Sequence, residues 1–329
     1  MRTRTYDKIN TLYMRYKNLG KVSLPNPAWK AFMNKIIVGM YSDDYMEYIK
    51  NLKFDCYEKI DGTCSKIVYI PSTGECFPGG KTDNADIVGT GQKAMLDEVI
   101  ARIKPILAEL FPKESAKFTP KMNDKNQNIY YDIDIPEGVF TDYPIDKPTH
   151  SGLMAVELEE VPVYIYGEFF GKKIQSGGNY DKDKNRFSIF DICVQGWYVP
   201  IGMLNDYASK LGLDVAPYIG QMTIEEAEKM VMKGFKTTVP DVSNPDYLAE
   251  GIVARPVIPI KDPRGKRIIV KIKTCDYREL QAAINQVGED EYKKFREWYF
   301  ENDVDNRLYC KDCHDKLLKT IKYKIYTDF

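Results

Sequence analysis

Apolar positions along the chain recur at two spacings, which predicts short strands interleaved with a few helices. Residues 54–70 read as strand and close on Ile67, Val68, Tyr69 and Ile70 before Pro71. The Pro-, Ser- and Gly-rich run at 71–91 reads as loop. At 92–111, Met95, Val99, Ile103, Ile106, Leu107 and Leu110 recur at helical spacing, and Pro105 predicts a kink. Residues 112–152 are polar and predict an irregular insertion, set within a wider interruption near 105–160. Strands return at 161–170 and 186–194, followed by a helix near 201–211. A helix at 223–234 opens with Thr223 and Glu226 at the spacing of a capping box. Strands follow at 250–257 and 267–273, and amphipathic helical segments at 277–301 and 311–324. The expected organisation is a large mixed domain over 1–275 and a small helical domain over 276–329.

Composition narrows the class. The 329 residues are 43% hydrophobic and 29% charged, as in ordinary soluble proteins. No apolar run reaches the length of a membrane-spanning helix, and no apolar segment follows the first charges, so neither a membrane anchor nor a secretory signal is expected. Seven scattered cysteines predict reduced thiols, and together these features predict a cytoplasmic protein. A net charge of −1 argues against binding nucleic acid by bulk electrostatics, which leaves that task to local basic stretches. The N-terminal arm is one candidate: Arg2, Arg4, Lys8, Arg15, Lys17, Lys21 and Lys30 face a single acid, Asp7, and Tyr6, Tyr13 and Tyr16 are interleaved. That mixture suits phosphate contact with base stacking, and equally a solvated helix face. Cys310, Cys313 and His314 have the spacing of a haem or zinc motif, but without an export signal or a visible fourth ligand the match reads as chance.

The strongest local signal is Glu58-Lys59-Ile60-Asp61-Gly62-Thr63. A lysine beside a glycine turn can act as a nucleophile when desolvation or neighbouring cations favour its neutral amine. Alone, the tetrapeptide Lys59-Ile60-Asp61-Gly62 within it is better explained as a surface turn. It is followed by Tyr166-Gly167-Glu168-Phe169-Phe170-Gly171, Phe187-Ser188-Ile189-Phe190-Asp191-Ile192, Ala249-Glu250-Gly251-Ile252-Val253-Ala254-Arg255-Pro256 and Ile268-Ile269-Val270-Lys271-Ile272-Lys273. The strand period of two places Lys271 and Lys273 on one face. Two adjacent cations suit an anion such as a nucleotide phosphate, although a solvated strand edge carries lysines as well.

These five segments, in this order, resemble the covalent nucleotidyltransferase superfamily of polynucleotide ligases and mRNA capping enzymes. Within it the chain is most similar to the RNA ligase 2 family, the nick-sealing RNA ligases of bacteriophages. The similarity is densest over 164–194 and in Ala249-Glu250-Gly251 followed by Lys271 and Lys273, and it spans roughly 54–275 apart from the insertion. The resemblance implies an α+β nucleotidyltransferase (ligase adenylation) fold: two twisted, mainly antiparallel sheets flanked by helices, with a nucleotide cleft and a small helical C-terminal domain. It implies an ATP-dependent monomer, not bound to membranes, that uses Mg²⁺ or Mn²⁺ to join RNA ends or nicked duplexes containing RNA, in RNA repair. Lys59 would form lysyl-AMP, with Lys271 and Lys273 neutralising the α-phosphate and Glu250 holding the metal or its waters. Glu168 would receive the ribose hydroxyls, Phe190 would stack on adenine and Glu58 would line the adenine pocket. Asp61 and Asp191 would play supporting parts. Lys81 stands where the family usually has an arginine contacting the nucleotide and the 5′-phosphate, and Cys64 stands where it tends to have asparagine. Lys81 supplies a point charge rather than a bidentate fork, and Tyr57 is also unusual in its position.

Two other assignments within the superfamily remain open, an ATP-dependent DNA ligase and a GTP-dependent capping-type enzyme. Both usually add a five-stranded barrel after the Lys-x-Lys strand, and the segment after 275 is short and helical in pattern. A non-catalytic nucleic-acid-binding module is the alternative from another class. The joint presence of Lys59, Glu168, Glu250, Lys271 and Lys273 speaks against it.

Overall fold

The computed structural model describes residues 6–19, 23–43, 45–82, 85, 87–112, 117–122, 128–134, 162–175, 180–194, 197–262 and 265–301. Its strands are β1 (Asn10–Thr11), β2 (Tyr13–Arg15), β3 (Ile36–Tyr41), β4 (Phe54–Lys59), β5 (Thr63–Ile70), β6 (Glu75–Gly80), β7 (Lys117–Met122), β8 (Asn128–Asp134), β9 (Val163–Gly171), β10 (Asn185–Val194), β11 (Trp197–Tyr198), β12 (Asp214–Val215), β13 (Tyr218–Met222), β14 (Gly251–Pro256) and β15 (Val270–Lys273). Its helices are α1 (Met46–Ile49), α2 (Gly91–Leu110), α3 (Ile201–Leu211), α4 (Ile224–Lys233), α5 (Thr274–Val287) and α6 (Glu289–Glu301). The class is α+β with mainly antiparallel sheets, as the resemblance implies. The chain forms two compact units, one of Met1–Tyr6 with Gly62–Val215 and the other of Asp7–Asp61 with Ala216–Phe329.

The first unit is built on a sheet of order β11-β10-β9-β5-β6, with β12 joining β10 in parallel. Alternation along the strands sends Ile67, Tyr69, Ile165, Phe169, Phe187, Ile189 and Ile192 to one face. There they bury the apolar stripes of α2 (Leu96, Ile100, Ile103, Leu107) and α3 (Leu204, Ala208, Leu211). Thr90 caps α2 by accepting from the Lys93 N–H at 3.2 Å, and Gln92 donates to Ser65 at 2.6 Å, which ties the start of the helix to β5. The opposite face carries Cys64, Lys66, Tyr164, Tyr166 and Glu168.

In the second unit the sheet order is β1-β15-β14-β4-β13, and only β1 runs parallel to its neighbour. Phe54, Cys56, Ile252, Ala254, Val270 and Ile272 leave the sheet on the core face. They meet Ile224 and Val231 of α4 together with Leu280, Ile284 and Phe295 of α5 and α6. The expected capping box at Thr223 and Glu226 forms at the start of α4. Glu228 is buried and accepts from Tyr13 Oη at 2.9 Å and Tyr277 Oη at 3.1 Å. Burial first, and then the charge of Glu228, pushes both phenols well above their ordinary range.

The elements depart from the sequence expectations in four places. The run at 71–91 is not all loop, because Glu75–Gly80 pairs with β5 despite its two glycines. The polar insertion contains the antiparallel pair β7–β8. The continuous helical pattern over 277–301 is divided at Gly288, whose φ of +104° suits glycine and ends α5. In the N-terminal arm, Tyr13 and Tyr16 are 1% and 0% exposed, so their rings are core and not stacking platforms. Arg15 is engaged there by Asp276 and the Asn34 carbonyl. The helix expected at 311–324, and Cys310, Cys313 and His314, lie outside the described residues.

Candidate active site

Strand β14 lies between β4 and β15, and Gly251 is paired with Lys59 on one side and Lys273 on the other. Two rows of the sheet thus end on lysines of one face, separated by a residue without a side chain. Glu250, the residue before Gly251, reaches both amines. Its Oε2 accepts from Lys59 Nζ at 2.5 Å and its Oε1 from Lys273 Nζ at 2.6 Å. All three side chains are partly buried, at 19%, 13% and 27% exposure for Lys59, Glu250 and Lys273. Burial opposes the charge on Lys273, but the hydrogen bond and charge of Glu250 outweigh it and hold that ammonium above the usual lysine range. The Thr274 N–H donates to the Glu250 carbonyl at 2.9 Å, so the first residue of α5 fixes the backbone that carries the carboxylate. Lys271 shares the face of Lys273 and is in register with Val253. The arrangement holds two cations on one carboxylate with a third cation on the same strand face, which favours an incoming phosphate.

Gly251 was not singled out by sequence reasoning. It has a φ of +154°, and a Cβ there would lie 2.0 Å from the Ile272 carbonyl oxygen. Gly251→Ala is therefore expected to force β14 away from β15, costing on the order of 3 kcal/mol and lowering Tm by roughly 5–10 °C. Thermal unfolding followed by circular dichroism checks this, and an unchanged Tm would show that the strand pair absorbs a methyl group.

Glu58 has partners that the resemblance did not suggest. The side chain is 2% exposed and accepts from Thr237 Oγ1 at 2.7 Å, Thr238 Oγ1 at 2.7 Å and the Thr238 N–H at 2.5 Å. Its carboxylate thus anchors the segment after α4. Alternation on β4 gives the reason, since Glu58 and Lys59 leave opposite faces of the strand. Nothing in the composition around Thr237 and Thr238 marks them as partners of a residue about 180 positions earlier.

Of the remaining expected residues, Asp61 belongs to the second unit, and Lys81, Glu168, Phe190 and Asp191 belong to the first. Gly62 lies against β9, where a Cβ would be 2.4 Å from the Phe169 carbonyl oxygen, so close packing requires this glycine. Asp61, just before it, is partly buried. Glu168 is partly exposed and in register with Cys64 and Ser188. Phe190 sits at a β-bulge: Ile189 pairs with Gly167 and Asp191 with Tyr166, leaving Phe190 as the extra residue. Asp191 is buried and accepts from Tyr6 Oη at 2.6 Å. Lys81, immediately after β6, is exposed, and its carbonyl accepts from the Tyr6 N–H at 3.4 Å. The structure therefore gathers Lys59, Glu250, Lys271 and Lys273 on one sheet of the second unit, and Glu168, Phe190 and Asp191 on the main sheet of the first. Among the described residues, no group of three or more His, Cys, Asp or Glu could hold a metal ion.

The RNA ligase family model matches residues 53–273, two thirds of the chain. The chain belongs to the RNA ligase family. Among solved structures it is similar to the RNA ligase of Naegleria gruberi. One such structure, a mutant with ATP and Mn, has 16% identity and a TM-score of 0.42 over 72% of this chain and 54% of that one. Another, with PPi, has 16% identity and a TM-score of 0.42 over 74% of this chain and 59% of that one. The chain thus spans between about half and three fifths of the length of these solved RNA ligase chains. No curated protein matches it. The family match begins just before β4 and ends at Lys273, so it takes in every expected site residue. Among the described residues, no helix is long and apolar enough to cross a membrane.

Proposed function

We propose that this RNA ligase family member joins RNA ends by way of a covalent lysyl-AMP, with ATP as the donor. The observation that carries this reading is the Lys59–Glu250–Lys273 cluster, which lies within the matched family region. Lys59 first gives up its ammonium proton to solvent, and the neutral Nζ then attacks the α-phosphorus of ATP, shedding a second proton as the phosphoramidate forms. A P–N bond forms, the bond to the bridging oxygen breaks, and pyrophosphate leaves with the electron pair. The AMP then passes to the 5′-phosphate of an RNA end, which frees Lys59. A neighbouring 3′-hydroxyl finally attacks the activated phosphate, loses its proton and expels AMP.

Lys271 and Lys273 supply positive charge where the α-phosphate gains negative charge. Glu250 keeps the amines of Lys59 and Lys273 close together, so little rearrangement is needed when phosphate arrives. Glu168 takes the ribose hydroxyls, Phe190 the purine face, and Lys81 the 5′-phosphate. Asp191 supports Phe190, and Glu58 holds the segment that follows α4. A divalent ion fits this donor set. Mg²⁺ beside phosphates needs only one or two protein carboxylates, since phosphate and water oxygens complete its shell. Glu250 is the carboxylate that would hold it or its waters, and the ion would offset phosphate charge. Nicked duplex RNA is the substrate proposed, on the resemblance to nick-sealing enzymes.

Incubation with α-labelled ATP or GTP in Mg²⁺, followed by denaturation, tests the reading. Label retained from ATP and discharged by pyrophosphate is the expected result. Label from GTP alone, or from neither nucleotide, would overturn it. Nicked and single-stranded substrates of RNA and DNA, run in parallel, assign the strands.

A further inference from the structure

Tyr6 belongs to the first unit and is 3% exposed. Its contacts converge on residues that the proposed reaction assigns to the nucleotide. Its ring packs edge-on to Phe190, with centroids 5.1 Å apart and planes at 68°, and lies 4.9 Å from Tyr166. Its hydroxyl donates to the buried Asp191 carboxylate at 2.6 Å, and its N–H donates to the Lys81 carbonyl at 3.4 Å. One side chain thus touches two consecutive residues of β10, which an unbroken strand would send to opposite faces. The bulge makes this possible. Ile189 and Ile192 remain in the core beneath α2 and α3, so Phe190 and Asp191 both turn to the other face.

We propose that Tyr6 is a positioning residue for the adenosine moiety. Through the edge-to-face contact it sets the plane of Phe190, on which the purine stacks. Through the hydrogen bond to Asp191 it fixes the bulge that presents that ring. The inference rests on the adenylylation reading and on Phe190 as the purine platform. A partly exposed aromatic at a bulge lacks a regular ladder around it, and its ring plane would otherwise vary. A phenol bonded to a buried carboxylate is a charge-assisted contact that removes this freedom.

The test uses the full chain carrying Tyr6→Phe or Tyr6→Ala. Binding of ATP and of inorganic tripolyphosphate is measured in a Lys59→Ala background, so that no transfer follows. Tyr6→Ala is expected to weaken ATP about tenfold and Tyr6→Phe about threefold, with tripolyphosphate unchanged, because only the base senses Phe190. With Lys59 restored, the KM for ATP rises while the transfer rate at saturating ATP is kept. Equal weakening of both ligands, or unchanged ATP binding, would overturn the proposal. Should Tyr6→Ala not fold, Tyr6→Phe keeps the ring and decides the matter. A parent chain that takes label from ATP while its Tyr6 variants bind ATP normally sinks the Tyr6 role alone. A parent chain that takes no label sinks the adenylylation reading and this inference with it.

Discussion

Lys59→Ala is expected to retain no nucleotide after incubation with labelled ATP, a loss of about a thousandfold or more, while the chain stays folded. The loss would be large because in the proposed reaction the P–N bond forms on this amine, and a methyl group offers no lone pair in its place. The fold survives because removing Lys59 strands no charge. Glu250 keeps its 2.6 Å bond to Lys273, and the lost side chain was partly exposed. The variant should still seal an RNA end that already carries AMP on its 5′-phosphate, since in the proposed reaction Lys59 takes no part in the final attack. Labelling, thermal unfolding and sealing of pre-adenylylated ends measure the three statements. A labelled Lys59→Ala chain would place the nucleophile elsewhere.

Glu250→Ala is the second large effect. Glu250 is the acceptor shared by Lys59 and Lys273, and its removal leaves two partly buried ammonium groups facing each other. Adenylylation should fall by about a hundredfold, and stability by roughly 1–3 kcal/mol, below the cost of breaking a fully buried pair because water still reaches the site. The sign with pH follows from Lys273, whose folded-state affinity for its proton is raised. The stabilisation from its pairing with Glu250 is fully present below the ordinary lysine range. It fades as pH rises through the higher folded value, and Glu250→Ala should abolish it at every pH. Lys271→Ala and Lys273→Ala should both slow adduct formation itself. If either slows only the joining of ends, that lysine serves the polynucleotide instead.

The legible parts of this protein were those with local causes. The apolar period of α2, the capping box of α4 and the alternation of β15 are written in neighbouring residues, and the structure contains all three. Less legible was β6, because glycine and proline mark turns in isolation and only pairing with β5 makes this run a strand. Tyr13 and Tyr16, interleaved with basic residues, have the pattern of an exposed arm. Their burial depends on α5, α6 and the Glu228 carboxylate, which are more than 200 positions away.

For the site, the sequence by itself determined the family, the nucleophile candidate and the two lysines on one strand face. Order and period are properties of a line of residues. Only the tertiary structure decided which charges meet. Antiparallel pairing of β4, β14 and β15 brings Lys59 and Lys273 to either side of Gly251, so that one carboxylate, Glu250, serves both. Glu58 stands next to the nucleophile candidate Lys59 in sequence, yet the two-residue period of its strand turns it away to Thr237 and Thr238. Tyr6 and Asp191 are bonded across 185 positions because a single extra residue in β10 turns the carboxylate towards the phenol. No local rule encodes such pairings, since the energy of a contact depends on distance in space, and the chain sets that distance only once the sheets have formed.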